Sequence, residues 1–557
     1  MQPSPREKST VFETASLRAK DAEGSSWTWE PRVSWIDFVF AVLAMAGYAL
    51  WLYKFGYRGF LAEDDLYSVL VGLLDGARNG TYLASVNHYG KSYSFGYIAA
   101  LYQFASPHTL TDRQLLMSLM NSIGFWAACA GCLFFWLLAW LLHGLRVATV
   151  AVTLFALSPM MLELGTSGHQ ILPAFALFMA GAVCLLIPVG GIRYILLGAL
   201  GGLLLLAALV TRAEVVLAFP FLALARPNLR SFPAFLRSAA LHTVVPALAY
   251  ITFLLLKHRY VDALPGASYS LNSFVDTFYS FKQVPLGLFI ILMGWGIVTG
   301  IVALIAACWI AHSIFAAPAA SEQKRNELHS ALGPFALAIP ALAFWIANPA
   351  PARHFILCLA GASILIGLLI TKWLPARPLQ VYAVVVCIIV ANQALASFAG
   401  PVILKHAPTT QVVSPEHPRD LPSGIIIGSS WGYHRAYEGE LSRTMNFTES
   451  LRGTCDTKTL ALTGHIAEVL STLYESNTPW KLERGKFHKF SYRTASDEHR
   501  TVMVLSEYRG WPDDAVAVSL TDPAFSDFQL VRDPNVTSIY DRAAIPAGRT
   551  AHLGCAP

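Results

Sequence analysis

Long apolar runs alternate with short polar segments over the first 400 residues of the chain. One helical crossing of a bilayer needs about 20 consecutive apolar residues. Runs of this kind predict about eleven membrane-spanning helices, of which Ala213–Ala225 is the shortest. The predicted spans are Ser34–Tyr53, Leu115–Leu142, Val147–Leu162, Ile171–Val189, Tyr194–Val210, Ala213–Ala225, Ala239–Leu256, Leu286–Ala311, Leu332–Ala347, Phe355–Ile370 and Leu379–Phe398.

The segment between the first two spans has a different pattern. Three acids follow one another, Glu63, Asp64 and Asp65, and behind them apolar residues recur at the spacing of an amphipathic helix. A carboxylate favours a helix N-terminus, so one of these acids would serve as a cap. Three acids exceed that need, and acids at a membrane tend to mark function. We therefore expect at least one of them to be catalytic.

Composition identifies the class of protein. Of the 557 residues 55% are hydrophobic and 13% are charged, whereas a soluble domain carries about 25% charged residues. The chain is therefore an integral membrane protein. A net charge of +5 is too small for its length to indicate a nucleic-acid partner. Residues 1–33 are polar and contain several basic residues, which predicts a disordered cytoplasmic tail.

The distribution of basic residues predicts the orientation. With the N-terminus in the cytoplasm, every predicted inner loop contains lysine or arginine, as the positive-inside rule requires. Arg146 and Lys372 are among these inner-loop residues. Several basic residues also fall in outer loops, where an anionic ligand would account for them. Eleven crossings place residues 401–557 outside. Their composition predicts a small soluble α/β domain with strands at Gly424–Ser429, Thr501–Tyr508 and Ala515–Leu520 and a helix at Thr457–Ser476.

The predicted outer domain contains two of the eight cysteines, Cys455 and Cys555. In an oxidising compartment they are expected to form a disulfide. The other six lie in apolar runs, where cysteine is usually a packing residue.

Polar groups at predicted span ends are candidates for chemistry. Arg212 and Glu214 lie between two apolar runs, either as a local tether in a tight turn or as part of a site. Arg353 precedes an apolar run together with His354. It either extends to the interface or binds a phosphate through its planar guanidinium. His169, in the loop after the third span, is either structural or substrate-binding.

The first outer loop, residues 54–113, contains a second polar group. Asn87, His88, Tyr89 and Lys91 combine hydrogen-bonding groups with an aromatic face. Such a mixture suits a sugar, and it equally suits a hydrogen-bonded turn. Carboxylates on the same outer face could act as general base, and basic groups could stabilise a departing phosphate.

The layout resembles the GT-C superfamily of polyprenyl-phosphate-dependent glycosyltransferases, which includes protein O-mannosyltransferases and the aminoarabinose transferase of lipid A. Those enzymes follow the first helix with an outer loop that carries an acidic pair, matched here by Glu63-Asp64-Asp65. Arg353-His354 is similar to their Arg-Tyr pair at the start of a late helix, and Arg212 matches a basic residue in a mid-chain span. Many members also place an acid after the third span, where this chain has Gln170.

The resemblance covers residues 35–400 and implies a transmembrane catalytic domain at residues 34–400, in a bacterial cytoplasmic membrane with residues 401–557 in the periplasm. It implies transfer of a sugar from a polyprenyl-phosphate donor to a glycan, lipid or protein acceptor. Asp64 is expected as general base, with Asp65 or Glu63 assisting. Arg353, Arg212 and His354 are expected at the donor phosphate, and His88, Tyr89, Lys91 and His169 at the substrate. The sequence does not require a cofactor, and a divalent cation is compatible with it.

Two other functions use the same groups. A transporter or flippase for an anionic lipid-linked sugar would also need basic residues, but near the membrane midplane. A polysaccharide polymerase or ligase would carry its main outer loop late in the chain. The position of the charged residues at the predicted outer edge favours the transferase.

Overall fold

A computed structural model describes residues 34–55, 95–106, 113–166, 168–229, 231–262, 284–316, 322–346, 352–375 and 377–406, together with five strands between residues 459 and 517. Short 3₁₀ helices at Ala213–Ala218 and Ala352–Phe355 interrupt the bundle. The α-helices are α1 (Trp35–Phe55), α2 (Phe95–Phe104), α3 (Arg113–His143), α4 (Leu145–Ala156), α5 (Pro159–Leu164), α6 (Ile171–Leu186), α7 (Ile192–Thr211), α8 (Phe219–Leu224), α9 (Phe232–Lys257), α10 (Val284–Trp295), α11 (Ile297–Ala316), α12 (Glu322–Trp345), α13 (Ile356–Trp373) and α14 (Pro378–His406).

The described helices make the chain a multi-pass membrane protein. Eight of them are long and apolar enough to cross a bilayer, and three shorter apolar helices lie at Leu145–Ala156, Ile171–Leu186 and Ala213–Leu224. Each of the predicted spans falls on one of these segments. The exact number of crossings stays a prediction, because the three shorter helices do not reach the usual spanning length.

Helix α13 forms the centre of the bundle. Of its most apolar stretch 89% is buried inside the protein, and it packs against α4, α11 and α12. Most other long helices bury one face and leave large apolar side chains exposed on the other, as expected for helices that face lipid.

One predicted span is two helices. The run Leu286–Ala311 is interrupted at Gly296, which has a φ of +92°, a conformation that glycine adopts without strain. The Asn392 carboxamide from α14 accepts hydrogen bonds from the amides of Val298 at 2.8 Å and Thr299 at 3.3 Å. It thereby caps the N-terminus of α11, so the apolar run does not continue as one helix.

A second predicted span, Val147–Leu162, also consists of two helices. Helix α4 ends at Ala156, and α5 begins at Pro159 with Ser158 as its N-cap. The Ser158 hydroxyl accepts a hydrogen bond from the Met161 amide at 3.3 Å. Proline at the first helical position and serine at the cap favour a new start.

At one end of the bundle, which we call the Asp37 end, an ion pair and a hydrogen bond join the starts of three helices. Arg146 Nε lies 3.3 Å from the Asp37 carboxylate, and the Tyr382 hydroxyl donates to Asp37 at 2.5 Å. Arg146 also donates to the Pro375 carbonyl, and Glu327 pairs with Lys372. Sequence analysis placed Arg146 and Lys372 in inner loops but did not identify Asp37 as their neighbour.

The five strands are β1 (Thr459–Thr463), β2 (Lys481–Arg484), β3 (His488–Arg493), β4 (His499–Leu505) and β5 (Val516–Ala517), in the order β2-β3-β4-β1-β5. β1 runs parallel to β4 and β5, and β2, β3 and β4 pair antiparallel.

The predicted helix Thr457–Ser476 is wrong at Thr459–Thr463, because pairing with two strands outweighs the local helical spacing. The predicted strands Thr501–Tyr508 and Ala515–Leu520 overlap β4 and β5. Gly424–Ser429, Cys455 and Cys555 lie outside the described residues, so the disulfide stays a prediction. Helix α14 extends to His406, beyond the expected boundary at residue 401.

Candidate functional site

Three charged or titratable side chains from two distant parts of the chain meet where α7 ends. Arg212 forms an ion pair with Glu214 through Nη2 and Oε1. The other carboxylate oxygen of Glu214 lies 3.0 Å from His354 Nδ1, although 140 positions separate the two residues. Arg212 Nη2 lies 3.5 Å from the same ring nitrogen. The two phosphate-binding candidates Arg212 and His354 are therefore brought together, with Glu214 between them.

The local backbone explains why Arg212 and Glu214 face the same space. Helix α7 ends at Thr211, and Arg212 takes an extended conformation with φ −157° and ψ 110°. The chain then turns into the 3₁₀ helix Ala213–Ala218. This break in an apolar stretch places two charged residues in one tight turn, so the predicted tether is present and also reaches a third residue.

The Trp345 ring packs against the His354 ring and holds it in place. The rings of Trp345, at the end of α12, and His354 have centroids 4.3 Å apart with an interplanar angle of 43°. His354 is buried. When Nδ1 carries the proton, it donates a hydrogen bond to the Glu214 carboxylate, and Nε2 is then the ring's other hydrogen-bonding atom.

These residues line a cleft of about 330 Å³ including its open mouth. Its charged and titratable lining consists of Arg212, Glu214 and His354. The rest of the lining is apolar and comes from α6, the turn after α7, α12 and α13: Ile171, Phe175, Val215, Leu217, Trp345, Ile356 and Leu357. The cleft therefore combines an apolar wall with a polar end that contains one arginine–glutamate ion pair and one histidine. We call this end of the bundle the cleft end.

Arg353 lies in the same 3₁₀ helix as His354 and is 4% exposed. It is not part of the cleft lining. A guanidinium buried at a helix end needs polar or anionic neighbours, so its environment differs from that of a side chain extending to the membrane surface.

In the loop before α6, the His169 ring contacts the nearby backbone. Its Nδ1 accepts a hydrogen bond from the Ile171 amide at 3.2 Å. Gly168 has a φ of +72° and packs so closely on Met120 that a Cβ would lie 2.7 Å from the Met120 carbonyl carbon. The Tyr97 hydroxyl donates to the Gly168 carbonyl at 3.2 Å.

Gln170 follows in this loop and is fully buried. Neither end of its amide has a hydrogen-bond partner in the described part of the chain. The residue stands directly before Ile171, which lines the cleft.

The acids and the sugar-binding candidates of the first outer loop, Glu63, Asp64, Asp65, His88, Tyr89 and Lys91, lie outside the described residues. The ends of their segment are placed. Leu52 of α1 packs against Gly165, and Gly96 of α2 packs against Val210, two positions before Arg212. The end of α1 and the start of α2 thus both lie at the cleft end of the bundle.

Within the ranges that the structure describes, no three His, Cys, Asp or Glu side chains come together in a way that could hold a metal ion. The charges of the cluster around Arg212 are instead arranged as ion pairs and hydrogen bonds between side chains.

Sequence analysis identified Arg212, Arg353 and His354 because charged residues stand out beside apolar runs. It did not identify the contact between Glu214 and His354 or the position of Trp345. Contacts between residues so far apart leave no periodic signal in one sequence. The acidic partner of Arg212 was visible two residues away, and that was the only local indication.

No protein-family model matches the chain, and neither does any curated protein sequence. Among solved structures, the chain is similar to ArnT from Cupriavidus metallidurans bound to undecaprenyl phosphate. The identity is 12%, the match covers 78% of this chain and 83% of that one, and the TM-score is 0.47. It is also similar to the AglB oligosaccharyltransferase from Archaeoglobus fulgidus in complex with an inhibitory peptide and a dolichol-phosphate. That match has 12% identity, covers 79% and 64% of the two chains and has a TM-score of 0.43.

Proposed function

We propose that this chain is a membrane glycosyltransferase that transfers a sugar from a polyprenyl-phosphate donor to a glycan, lipid or protein acceptor. The observation that carries the proposal is the composition of the cleft, which has an apolar wall and, at one end, the side chains Arg212, Glu214 and His354. A polyprenyl-phosphate sugar has the matching chemistry, because it joins an apolar chain to an anionic phosphate.

Arg212 is the proposed main phosphate ligand. A guanidinium can donate two parallel hydrogen bonds to phosphate oxygens. His354 would add a third donor through Nδ1, the ring nitrogen that faces Glu214, and Arg353 is proposed as a second guanidinium on the same short helix. The apolar residues of α6 and α13 would contact the lipid chain.

Asp64 is the proposed general base, with Asp65 or Glu63 assisting. The acceptor hydroxyl would lose its proton to the Asp64 carboxylate while its oxygen bonds to the anomeric carbon of the sugar. The bond from that carbon to the phosphate oxygen breaks, and the electron pair leaves with the lipid phosphate. The cationic groups would stabilise the charge that develops on this leaving group. His88, Tyr89 and Lys91 are proposed to contact the sugar.

The proposed location is a bacterial cytoplasmic membrane, with the cleft on the periplasmic side. The placement of charge favours the transferase over a transporter. Asp37, Arg212 and Arg353, the buried charged side chains of the described residues, all lie at helix ends. A transporter would be expected to hold such groups near the midplane.

The test is sugar transfer by the purified protein in lipid vesicles, with a panel of undecaprenyl-phosphate sugars as donors. Asp64→Asn is nearly isosteric and can still cap a helix, so the variant should fold. It should lose roughly 10²–10⁴-fold in turnover. Mass spectrometry of cell-envelope glycans and lipids, with and without the gene, would identify the acceptor.

Asp65→Asn and Glu63→Gln are the matched comparisons. Normal turnover in Asp64→Asn with no turnover in Asp65→Asn would move the role of base by one residue. Full activity in all three variants would overturn the proposed reaction.

A further inference from the structure

Glu214 occupies the hydrogen-bonding groups that a phosphate would need. One of its carboxylate oxygens pairs with Arg212, and the other lies 3.0 Å from His354 Nδ1. The carboxylate and the two donors line one cleft. Carboxylate and phosphate are the two anions that a guanidinium binds in the same forked geometry. The Glu214 carboxylate therefore accepts from the Arg212 guanidinium in the position that a bound phosphate would take.

The surroundings of Arg212, Glu214 and His354 determine which of the three side chains can move. His354 has Trp345 against its ring, at a centroid distance of 4.3 Å, so the imidazole is held in place. Arg212 is 3% exposed and follows the last residue of α7. Glu214 is the most accessible of the three, with 20% of its side chain exposed. It is the group best able to move aside when another anion enters.

The charges of substrate and product differ in the proposed reaction. The donor is a phosphodiester with one negative charge. The released lipid phosphate is a monoester with a charge of about −1.5 to −2 at pH 7. Because Coulomb energy scales with the product of the charges, a nearby carboxylate repels the product more strongly than the donor.

We propose that Glu214 competes with the phosphate of the bound lipid for Arg212 and His354, and so promotes release of the lipid-phosphate product. The inference rests on the proposed function, since it takes a lipid phosphate as the ligand. In the ligand-free state the carboxylate holds the two donors together. When the product leaves, the Glu214 carboxylate takes the place of its phosphate.

The chain offers a matched control for the charge. Glu327 is 18% exposed on its side chain and pairs with Lys372, but it lies at the Asp37 end of the bundle. Glu327→Gln and Glu214→Gln therefore remove the same charge from two paired carboxylates of similar exposure at opposite ends of the bundle. Only the second change is near the cleft.

The experiment measures the affinity of the purified full-length protein for undecaprenyl phosphate. Glu214→Gln keeps the shape of the side chain, removes the charge and leaves one acceptor oxygen in place of two, so binding should tighten by roughly tenfold. Glu327→Gln should bind like the wild type. The gain should be smaller for undecaprenyl methyl phosphate, a singly charged diester that serves as the donor probe. Thermal unfolding without lipid checks that both variants fold.

Glu214→Ala removes the charge together with the hydrogen bonds, and it should also bind undecaprenyl phosphate more tightly than the wild type. Unchanged or weaker binding in both Glu214 variants would overturn the inference, because Glu214 would then be holding Arg212 and His354 in position for phosphate. A wild-type protein that binds neither lipid would instead overturn the proposed function.

Discussion

Gln170 presents a buried amide without a hydrogen-bond partner among the described residues. A buried polar group left in this state costs about 1–3 kcal/mol of stability. Gln170→Met has a similar shape and no polar atoms. The ligand-free variant should therefore unfold at a higher temperature than the wild type, by the equivalent of about 1 kcal/mol.

Two other substitutions serve as comparisons for this prediction, with expected shifts in opposite directions. Ser363 is also fully buried with an unsatisfied hydroxyl, so Ser363→Ala should shift the melting temperature in the same direction. Thr149 donates to the Asp37 carbonyl at 3.1 Å, so the isosteric Thr149→Val should lower it. A lower melting temperature in Gln170→Met would mean that the amide stabilises the protein.

Substitution of Arg353 distinguishes two roles for an arginine at a helix end, which are binding phosphate and anchoring the helix. Arg353→Lys keeps the charge and loses the planar fork, so turnover should fall by roughly tenfold if the side chain holds phosphate. Arg377→Lys, an exposed residue that pairs with Gln380, serves as the control and should leave turnover unchanged. Full activity in Arg353→Ala would show that the residue only anchors its helix.

At the scale of residues, sequence analysis identified Arg212 and His354 as candidates but did not identify how they are arranged in the cleft. Arg212 and His354 stand out in one sequence because charge beside an apolar run is costly. The hydrogen bond between Glu214 and His354 depends on the packing of α7 against the turn before α13. No local pattern encodes that distance. His169 Nδ1 accepts a hydrogen bond from the Ile171 amide, and its expected contact with the substrate stays a prediction.

At the scale of elements, the break between α10 and α11 depends on a residue 94 positions away from the amide it caps. Asn392 accepts from Val298 and Thr299, and its amide nitrogen donates to the Thr299 hydroxyl at 2.7 Å. Asn392→Ala would leave these buried groups unsatisfied. The variant should lose about 2–4 kcal/mol of stability.

Gln380→Ala is the control, since Gln380 is an exposed residue of the same helix, α14. It should change stability by less than about 0.5 kcal/mol. The measurement is thermal unfolding in detergent. Equal melting temperatures for the two variants would show that Asn392 is not what stabilises the break.

The same break shows why the sequence predicted one span there. Leu286–Ala311 is apolar apart from Thr299, and it contains four glycines, at positions 287, 294, 296 and 300. Nothing in the sequence distinguishes Gly296 from the other three as the position of the break. Helix α10 instead contacts α5 and the 3₁₀ helix Ala352–Phe355, so it lies beside the candidate site. Spanning helices with a continuous apolar run and charged flanks were predicted well, because length and hydropathy determine them.

At the scale of the whole molecule, basic residues from separate loops gather at the Asp37 end. Arg146 contacts Asp37, Lys372 contacts Glu327, and Arg226 donates to the Leu141 carbonyl at 3.0 Å. The positive-inside rule then predicts that this end faces the cytoplasm. The cleft end would face the opposite side.

A reporter that is active only in the cytoplasm tests this orientation. Fused after His406, it should be inactive, because α14 would have carried the chain across the membrane. Fused after Arg377, it should be active. Strong activity after His406 would refute the predicted orientation and the odd number of crossings.

The central claim is that the cleft binds the phosphate of a lipid through Arg212. Its most direct test is the affinity of the purified protein for undecaprenyl phosphate, compared between wild type and Arg212→Gln. The double variant Arg212→Gln/Glu214→Gln keeps the pair neutral and so removes the effect of an unpaired carboxylate. Both variants should bind at least about tenfold more weakly than wild type. Wild-type affinity in the double variant, with unchanged thermal unfolding, would contradict the account.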